Sequence, residues 1–198
     1  EVFTKKNQLK IFDLGAGSAC IGLSLALLLE DFLKKAGRSS FSIELNLVES
    51  SPVAQKSLKR NLSKVEKQLS QTVIHNYEKS WISFDIETGD LDVLITNPPY
   101  LLPDEYEQID RSVKDWEEQA ALIDQRNCQW GPGLAAFQEI FENWVMRGNV
   151  PLWFMEASPS CIALLEAHLV SQNLSFEIKK DINQKDRFIF NKSNTLKF

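Results

Sequence analysis

Short apolar runs alternate with amphipathic stretches along the whole chain. Lys10 to Leu14, Ser42 to Val48, Thr72 to Asn76, Leu91 to Thr96 and Pro151 to Glu156 read as strands, and Asp92-Val93-Leu94-Ile95-Thr96 is apolar enough to be buried on both faces. Between them the spacing predicts helices. One runs from about Ala19 to Lys35 and is stopped by Gly37; a second runs from Pro52 to about Leu69 behind Ser50-Ser51. A third covers Leu134 to Met146, and a fourth Pro159 to Gln172 behind Ser158. Phe176 to Lys180 and Arg187 to Phe190 are two last strands joined by a polar turn, expected as an antiparallel pair at a sheet edge. The polar, acidic connection from Leu101 to Asn127, with helical patches around Asp115 to Leu122, is where a lid over a ligand is expected. Strand and helix alternate, so the fold class is α/β: an open, mostly parallel sheet with helices on both faces. Residues 1–198 are read as one domain, without repeat, linker or low-complexity segment.

Composition narrows the partners. The longest apolar run, Ile21 to Leu29, contains Gly22 and Ser24 and is too short to cross a membrane. No membrane association is expected, and no secretory signal is visible at Glu1. The net charge is −5, which argues against direct nucleic-acid binding. Lys56, Lys59, Arg60, Lys64 and Lys67 fall on what reads as the wet face of one helix. Cys20, Cys128 and Cys161 are odd in number and form no Cys-x-x-Cys pair, so a reducing, intracellular compartment is expected and no disulfide framework. His75 and His168 are isolated and read as structural; no metal is expected.

Candidate chemistry lies at strand ends. After the first strand, Asp13-Leu14-Gly15-Ala16-Gly17-Ser18 forms a glycine turn into a helix, suited to close approach of a ligand to the backbone, with Asp13 expected to point into the cleft. A dinucleotide fingerprint would need a third glycine where Cys20 stands, so a nicotinamide enzyme is disfavoured. Glu49, at the tip of the second strand, can accept hydrogen bonds from both hydroxyls of a ribose, with Ser50 beside it. Ser80-Trp81 follows the third strand; Trp81 reads equally as an adenine wall or as core. Asn97-Pro98-Pro99-Tyr100 follows the fourth. Both prolines stiffen the loop, so an Asn97 carbonyl and a Pro98 backbone carbonyl can be aimed at a planar NH₂ group while Tyr100 stacks on its flat face.

With these motifs in this order, the chain resembles the HemK/PrmC family of release factor glutamine methyltransferases. Asp13 to Ser18 is similar to the S-adenosylmethionine motif of Rossmann-like methyltransferases, and Asn97-Pro98-Pro99-Tyr100 to the signature of those acting on a planar nitrogen. Further likenesses are Trp81, Glu117-Glu118-Gln119-Ala120-Ala121-Leu122, Gly133-Leu134, Met155-Glu156 and Lys185-Asp186-Arg187. The resemblance implies a Rossmann-like seven-stranded methyltransferase sheet with S-adenosylmethionine as cofactor. It also implies methylation of the glutamine side-chain amide in the Gly-Gly-Gln tripeptide of a peptide-chain release factor. By the same resemblance Asn97, Pro98, Pro99 and Tyr100 are catalytic. The cofactor falls to Asp13, Gly15, Ala16, Gly17, Ser18, Glu49, Ser50, Ser80, Trp81 and Asn97. A monomer is expected, in the mitochondrion or alternatively the cytoplasm. Departures from the family pattern are Ala19 for a third glycine, Ser80 for an acid, a missing proline in the Glu-Pro stretch, and no Pro-Arg-Pro segment within Glu1 to Leu9. The family's N-terminal helical domain is not in this chain. Two alternatives stay open: an adenine-specific DNA or RNA amino-methyltransferase, and an inactive methyltransferase-like binding subunit.

Overall fold

The computed structural model describes residues 7–38, 40–85, 87 and 89–191. The rest of the predicted 1–198 domain lies outside the described residues. Strand β1 (Gln8–Leu14) leads into helix α1 (Cys20–Lys35), β2 (Ser42–Val48) into α2 (Pro52–Val65), and β3 (Thr72–Tyr77) into a short 3-10 turn (Trp81–Ser83). Strand β4 (Val93–Thr96) is followed by three short helices, α3 (Pro103–Gln108), α4 (Arg111–Trp116) and α5 (Gln119–Leu122). Helix α6 (Ala135–Ile140) continues as a π-helical turn (Phe141–Met146) into β5 (Leu152–Glu156). Helix α7 (Pro159–Ser171) and the hairpin of β6 (Phe176–Lys180) and β7 (Asp186–Asn191) are the last of the described elements.

The seven strands form one sheet in the order β3-β2-β1-β4-β5-β7-β6, parallel except for β7, which runs antiparallel to β5 and β6. The expected edge pair is therefore present. Two of the expected helices are interrupted. The helix from Pro52 gives way at Glu66 to a 3-10 turn, and the one from Leu134 widens at Phe141.

Local chemistry sets the element ends. Gly37 adopts φ 74° and, with Arg38, returns hydrogen bonds to Lys34 and Leu33 carbonyls, closing α1. Ser51 caps α2 by accepting from Val53 N and Ala54 N, and Ser158 caps α7 by accepting from Cys161 N. One core cluster packs α6 and α7 on β1, β4 and β5 through Phe12, Leu14, Leu94, Phe137, Trp144 and Leu165. The other packs α1 and α2 on the opposite face through Ile11, Leu23, Ile43, Leu47, Leu58 and Ile95. Coverage of that second face stops at α1. Beyond it Ile21, Ile95, Phe154, Phe188 and Phe190 line an open apolar groove.

Candidate active site

Strand order reverses between β1 and β4, the place where an open α/β sheet leaves a crevice at its carboxyl ends. Leu14 pairs with both Val48 and Thr96, so the next residues along these strands, Gly15, Glu49 and Asn97, sit side by side. The backbone of the first loop is pinned: Gly15 N and Ala16 N donate to Val48 O at 2.9 and 3.0 Å, and Thr96 Oγ1 donates to Leu14 O at 2.8 Å. Gly15 and Gly17 take φ 66° and 56°, conformations that favour glycine. Ala19 takes φ 61° at the position where the family motif has its third glycine, and its methyl group is buried in the core. The motif's geometry is kept here at the expense of some backbone strain.

Asp13 departs from the sequence reading. It does not open into the cleft but lies buried beneath α1, where its Oδ2 accepts from Gly22 N at 3.0 Å. A Cβ on Gly22 would come within 2.8 Å of that oxygen. Burial pushes the Asp13 carboxyl up to about 7; the Gly22 N–H opposes this and the Glu49 charge adds to it. The side chain ties the end of β1 to the first turn of α1.

Glu49 is held by the backbone on both oxygens: Oε2 accepts from Gly17 N at 2.8 Å and Oε1 from Ser51 N at 2.6 Å. A carboxylate has about four lone-pair sites, so each oxygen keeps one acceptor position for a ligand hydroxyl. Ser50 is exposed beside it. Ser51 Oγ also meets Glu118, which ties the 101–127 connection to the start of α2. The Ser18 carbonyl accepts from Asn61 Nδ2 at 3.0 Å, a support from α2 that the sequence reading missed. Ser80 caps the 3-10 turn, its Oγ accepting from Ile82 N at 3.3 Å.

Trp81 is partly buried. It packs against the core cluster and it lines a cleft of about 480 Å³ with Ser80, Ile82, Pro99, Gln119 and Ile123. Its ring edge lies over Gly15, where a Cβ would come 3.3 Å from Cζ3.

In the tetrapeptide, Asn97 is exposed at the tip of β4, Pro98 is buried and Pro99 lines the cleft. Tyr100 is fixed from several sides. Its N–H donates to Leu122 O at 3.1 Å, its hydroxyl accepts from Arg187 Nη1 at 3.3 Å, and Gly133 approaches so closely that a Cβ there would stand 2.7 Å from Tyr100 O. Arg187 is held by Asp181 at 3.6 Å and donates to Ala157 O at 3.4 Å. Burial pushes the Tyr100 hydroxyl up in pKa, against the pull of Arg187. Burial likewise raises Glu156 at the end of β5. The late resemblances Gly133, Glu156 and Arg187 thus gather around Tyr100. Of the residues expected from sequence, the sheet brings Gly15 to Ser18, Glu49, Ser50, Ser80, Trp81 and Asn97 to Tyr100 to its carboxyl ends, while Asp13 lies beneath α1. Among the described residues no group of His, Cys, Asp or Glu is placed to hold a metal ion, and no helix is long and apolar enough to cross a membrane.

No family model matches the chain. Curated relatives do. The release factor glutamine methyltransferase of Lactococcus lactis is 30% identical over 190 residues, 93% of this chain and 61% of the relative. The enzymes of that name from Bacillus subtilis and Flavobacterium psychrophilum are 26% and 29% identical, over 95% and 92% of this chain and 59% and 58% of theirs. The resemblance to release factor glutamine methyltransferases therefore runs through almost the whole chain, which spans about three fifths of the length of these relatives. Among solved structures, the hMettl16 catalytic domain in complex with MAT2A 3'UTR hairpin 1 matches with a TM-score of 0.57 at 12% identity, covering 94% of this chain and 64% of that one. A methyltransferase from Pyrococcus furiosus matches with a TM-score of 0.54 at 12% identity, over 96% and 78%. These likenesses establish the fold as that of Rossmann-like methyltransferases.

Proposed function

We propose that this chain, similar to the release factor glutamine methyltransferases over most of its length, is their catalytic methyltransferase domain. In this reading it methylates the side-chain nitrogen of the glutamine in the Gly-Gly-Gln tripeptide of a release factor. The observation that carries the reading is the adjacency of two loops on paired strands: Gly15 to Ser18 after β1, and Asn97 to Tyr100 after β4.

The residues present fit S-adenosylmethionine. Glu49 keeps an acceptor position on each oxygen for the ribose, with Ser50 beside it. Nothing lies within 4 Å of where a Gly17 Cβ would be, so the turn leaves room against its backbone for the methionine end. Trp81 and Ser80 flank the adenine. When bound, S-adenosylmethionine supplies the electrophilic methyl group. An amide nitrogen is a poor nucleophile because its lone pair is delocalised into the carbonyl. The protein's part is to hold the two N–H protons on the Asn97 side-chain carbonyl and the Pro98 carbonyl. Those hydrogen bonds strengthen as positive charge builds on the nitrogen, which stabilises the transition state more than the bound substrate. Pro98 and Pro99 keep the acceptors from reorganising. Tyr100, immobilised by Arg187 and by Leu122 O, packs on the amide plane and sets the direction of approach. The compartment follows the substrate, cytoplasm or mitochondrion, wherever that release factor terminates translation.

The test is intact mass of a release-factor domain after incubation with this chain and S-adenosylmethionine, beside a copy carrying Gln→Ala in the tripeptide. One added methyl is expected only where the glutamine is present. Asn97→Ala should lower the transfer rate by roughly a hundredfold or more, a loss of the size seen for a removed transition-state hydrogen-bond partner, with little change in cofactor affinity. Near wild-type turnover in that variant would sink the role given to Asn97. Methylation of adenine in a nucleic acid, with none on the release factor, would favour the amino-methyltransferase alternative. Absence of S-adenosylmethionine binding would favour a binding subunit.

A further inference from the structure

The last residues of the 101–127 connection carry an ion-pair network that none of the roles above uses. The Asp124 side chain is 2% exposed and accepts from Arg126 Nε at 2.9 Å, from Arg126 Nη2 at 3.1 Å, from Arg126 N at 3.1 Å and from Ala136 N at 2.6 Å. Burial alone would raise its pKa; the Arg126 and backbone donors outweigh this and hold it below the usual carboxylate range. The remaining Arg126 nitrogen, Nη1, donates to Glu139 Oε2 at 3.0 Å. The same Glu139 oxygen accepts from the Trp81 indole Nε1 at 3.1 Å. One carboxylate oxygen therefore takes an indole proton and a guanidinium proton together.

An indole turns about two side-chain bonds, so one contact does not fix its plane. Trp81 has two, on different edges: Nε1 on Glu139 and the Cζ3 edge over Gly15. Glu139 is itself on the rim of α6, and a carboxylate there has water to compete for it. Arg126 holds it inward, and Asp124 holds Arg126. Gln119, Ile123 and Arg126 line the same cleft as Trp81. The lid over the acceptor and the wall beside the cofactor are therefore tied by one chain of charges.

We propose that Asp124, Arg126 and Glu139 form a positioning triad for Trp81, which sets the indole plane for the adenine and couples that plane to the lid. The inference rests on the reading of Trp81 as the adenine wall. The three residues touch neither methyl donor nor acceptor in this scheme; they act through the indole.

The experiment uses the whole chain and S-adenosylhomocysteine, with binding measured by calorimetry and the indole N–H signals by heteronuclear NMR. The Trp81 signal is assigned by its loss in Trp81→Phe. Glu139→Ala should weaken binding about tenfold and shift the Trp81 N–H signal upfield, as expected when a charge-assisted hydrogen bond is lost. Glu139→Gln, which still offers a carbonyl oxygen to the indole, should recover most of the affinity and keep the signal near its wild-type place. Arg126→Met should weaken binding by several-fold, with the Trp81 signal broadened. If the buried Asp124 left alone unfolds that variant, the Glu139 pair decides the matter without it. Wild type that fails to bind S-adenosylhomocysteine would overturn the cofactor reading beneath the proposal. Wild type that binds, with Glu139→Ala binding equally and its Trp81 signal unmoved, would overturn the triad and leave the cofactor reading standing.

Discussion

Asp13 shows how one residue's setting reverses its expected behaviour. Its carboxyl is ordinary in an unfolded chain, at 3.8, and raised to about 7 by burial in the folded one. Between these values the folded state holds a proton that the unfolded state has released. Folding stability therefore falls as pH rises from about 4 to about 7. Asp13→Asn keeps an acceptor for Gly22 N–H and has nothing to ionise, so it should gain on wild type across that window. The gain is bounded by roughly 4 kcal/mol, at about 1.4 kcal/mol for each tenfold in proton affinity. Urea denaturation at pH 4.5 and 7.5 measures it, and an equal difference at both pH values would refute the buried acid. The location was legible in principle. Ile11 belongs to the core under α1 while Phe12 and Leu14 belong to the core on the other face, so strand alternation places Asp13 under α1 as well. Its position in front of two glycines drew attention to the cleft instead.

At the scale of elements, Glu30 joins helix to sheet. From α1 its carboxylate accepts from Ser70 N at 3.1 Å, Gln71 N at 2.8 Å and Thr72 Oγ1 at 2.8 Å, and pairs with Lys34 at 2.8 Å, fixing the entry to β3. Burial tends to raise its pKa, but these donors prevail and hold it at about 2. The folded value lies below the unfolded 4.5, so the stabilisation is complete above that pH and is lost as pH falls toward 2. Glu30→Ala should cost roughly 2–4 kcal/mol at pH 7, the scale of a removed partner to several buried donors. That cost should shrink progressively as pH falls from about 4.5 toward 2, and a cost unchanged over that range would rule the account out. Strand identities and caps were legible because they depend on near neighbours: Ser51, Ser158 and Gly37 act within a turn of themselves. The network of Asp124, Arg126, Glu139 and Trp81 was not, since Trp81 and Glu139 stand 58 positions apart and only the folded chain brings them together. The widened turn at Phe141 was hidden for another reason. Phe137, Ile140, Phe141, Trp144 and Val145 are all buried at spacings that also suit a plain α-helix.

For the whole molecule, the sheet has unequal faces. The α6–α7 face is covered, while beyond α1 the floor of β4, β5 and β7 is open, with Ile21 45%, Phe154 37% and Phe188 40% exposed. Contiguous apolar surface of this kind binds hydrophobic dyes without any unfolding. The chain should raise the fluorescence of anilinonaphthalene sulfonate in native buffer at neutral pH, and Phe188→Lys should cut that signal by about half or more while leaving the melting temperature within a few degrees. No enhancement in the folded wild type would mean that the groove is closed in solution. The alternation of strands and helices made the layered architecture readable. The gap in the coverage was not readable, because a phenylalanine that packs and one that waits in the open occupy the same pattern positions.

The wide turn from Phe141 to Met146 has a bearing on how sequences of this kind drift. There the residue count and the number of helical turns come apart, since the wider turn takes up an extra residue. A sequence shorter by one at this place can run as an unbroken α-helix and still deliver Glu139 and β5 to the same positions. Single-residue insertions and deletions should therefore collect between Phe141 and Met146, and an alignment gap there would mark a change of pitch rather than a lost contact.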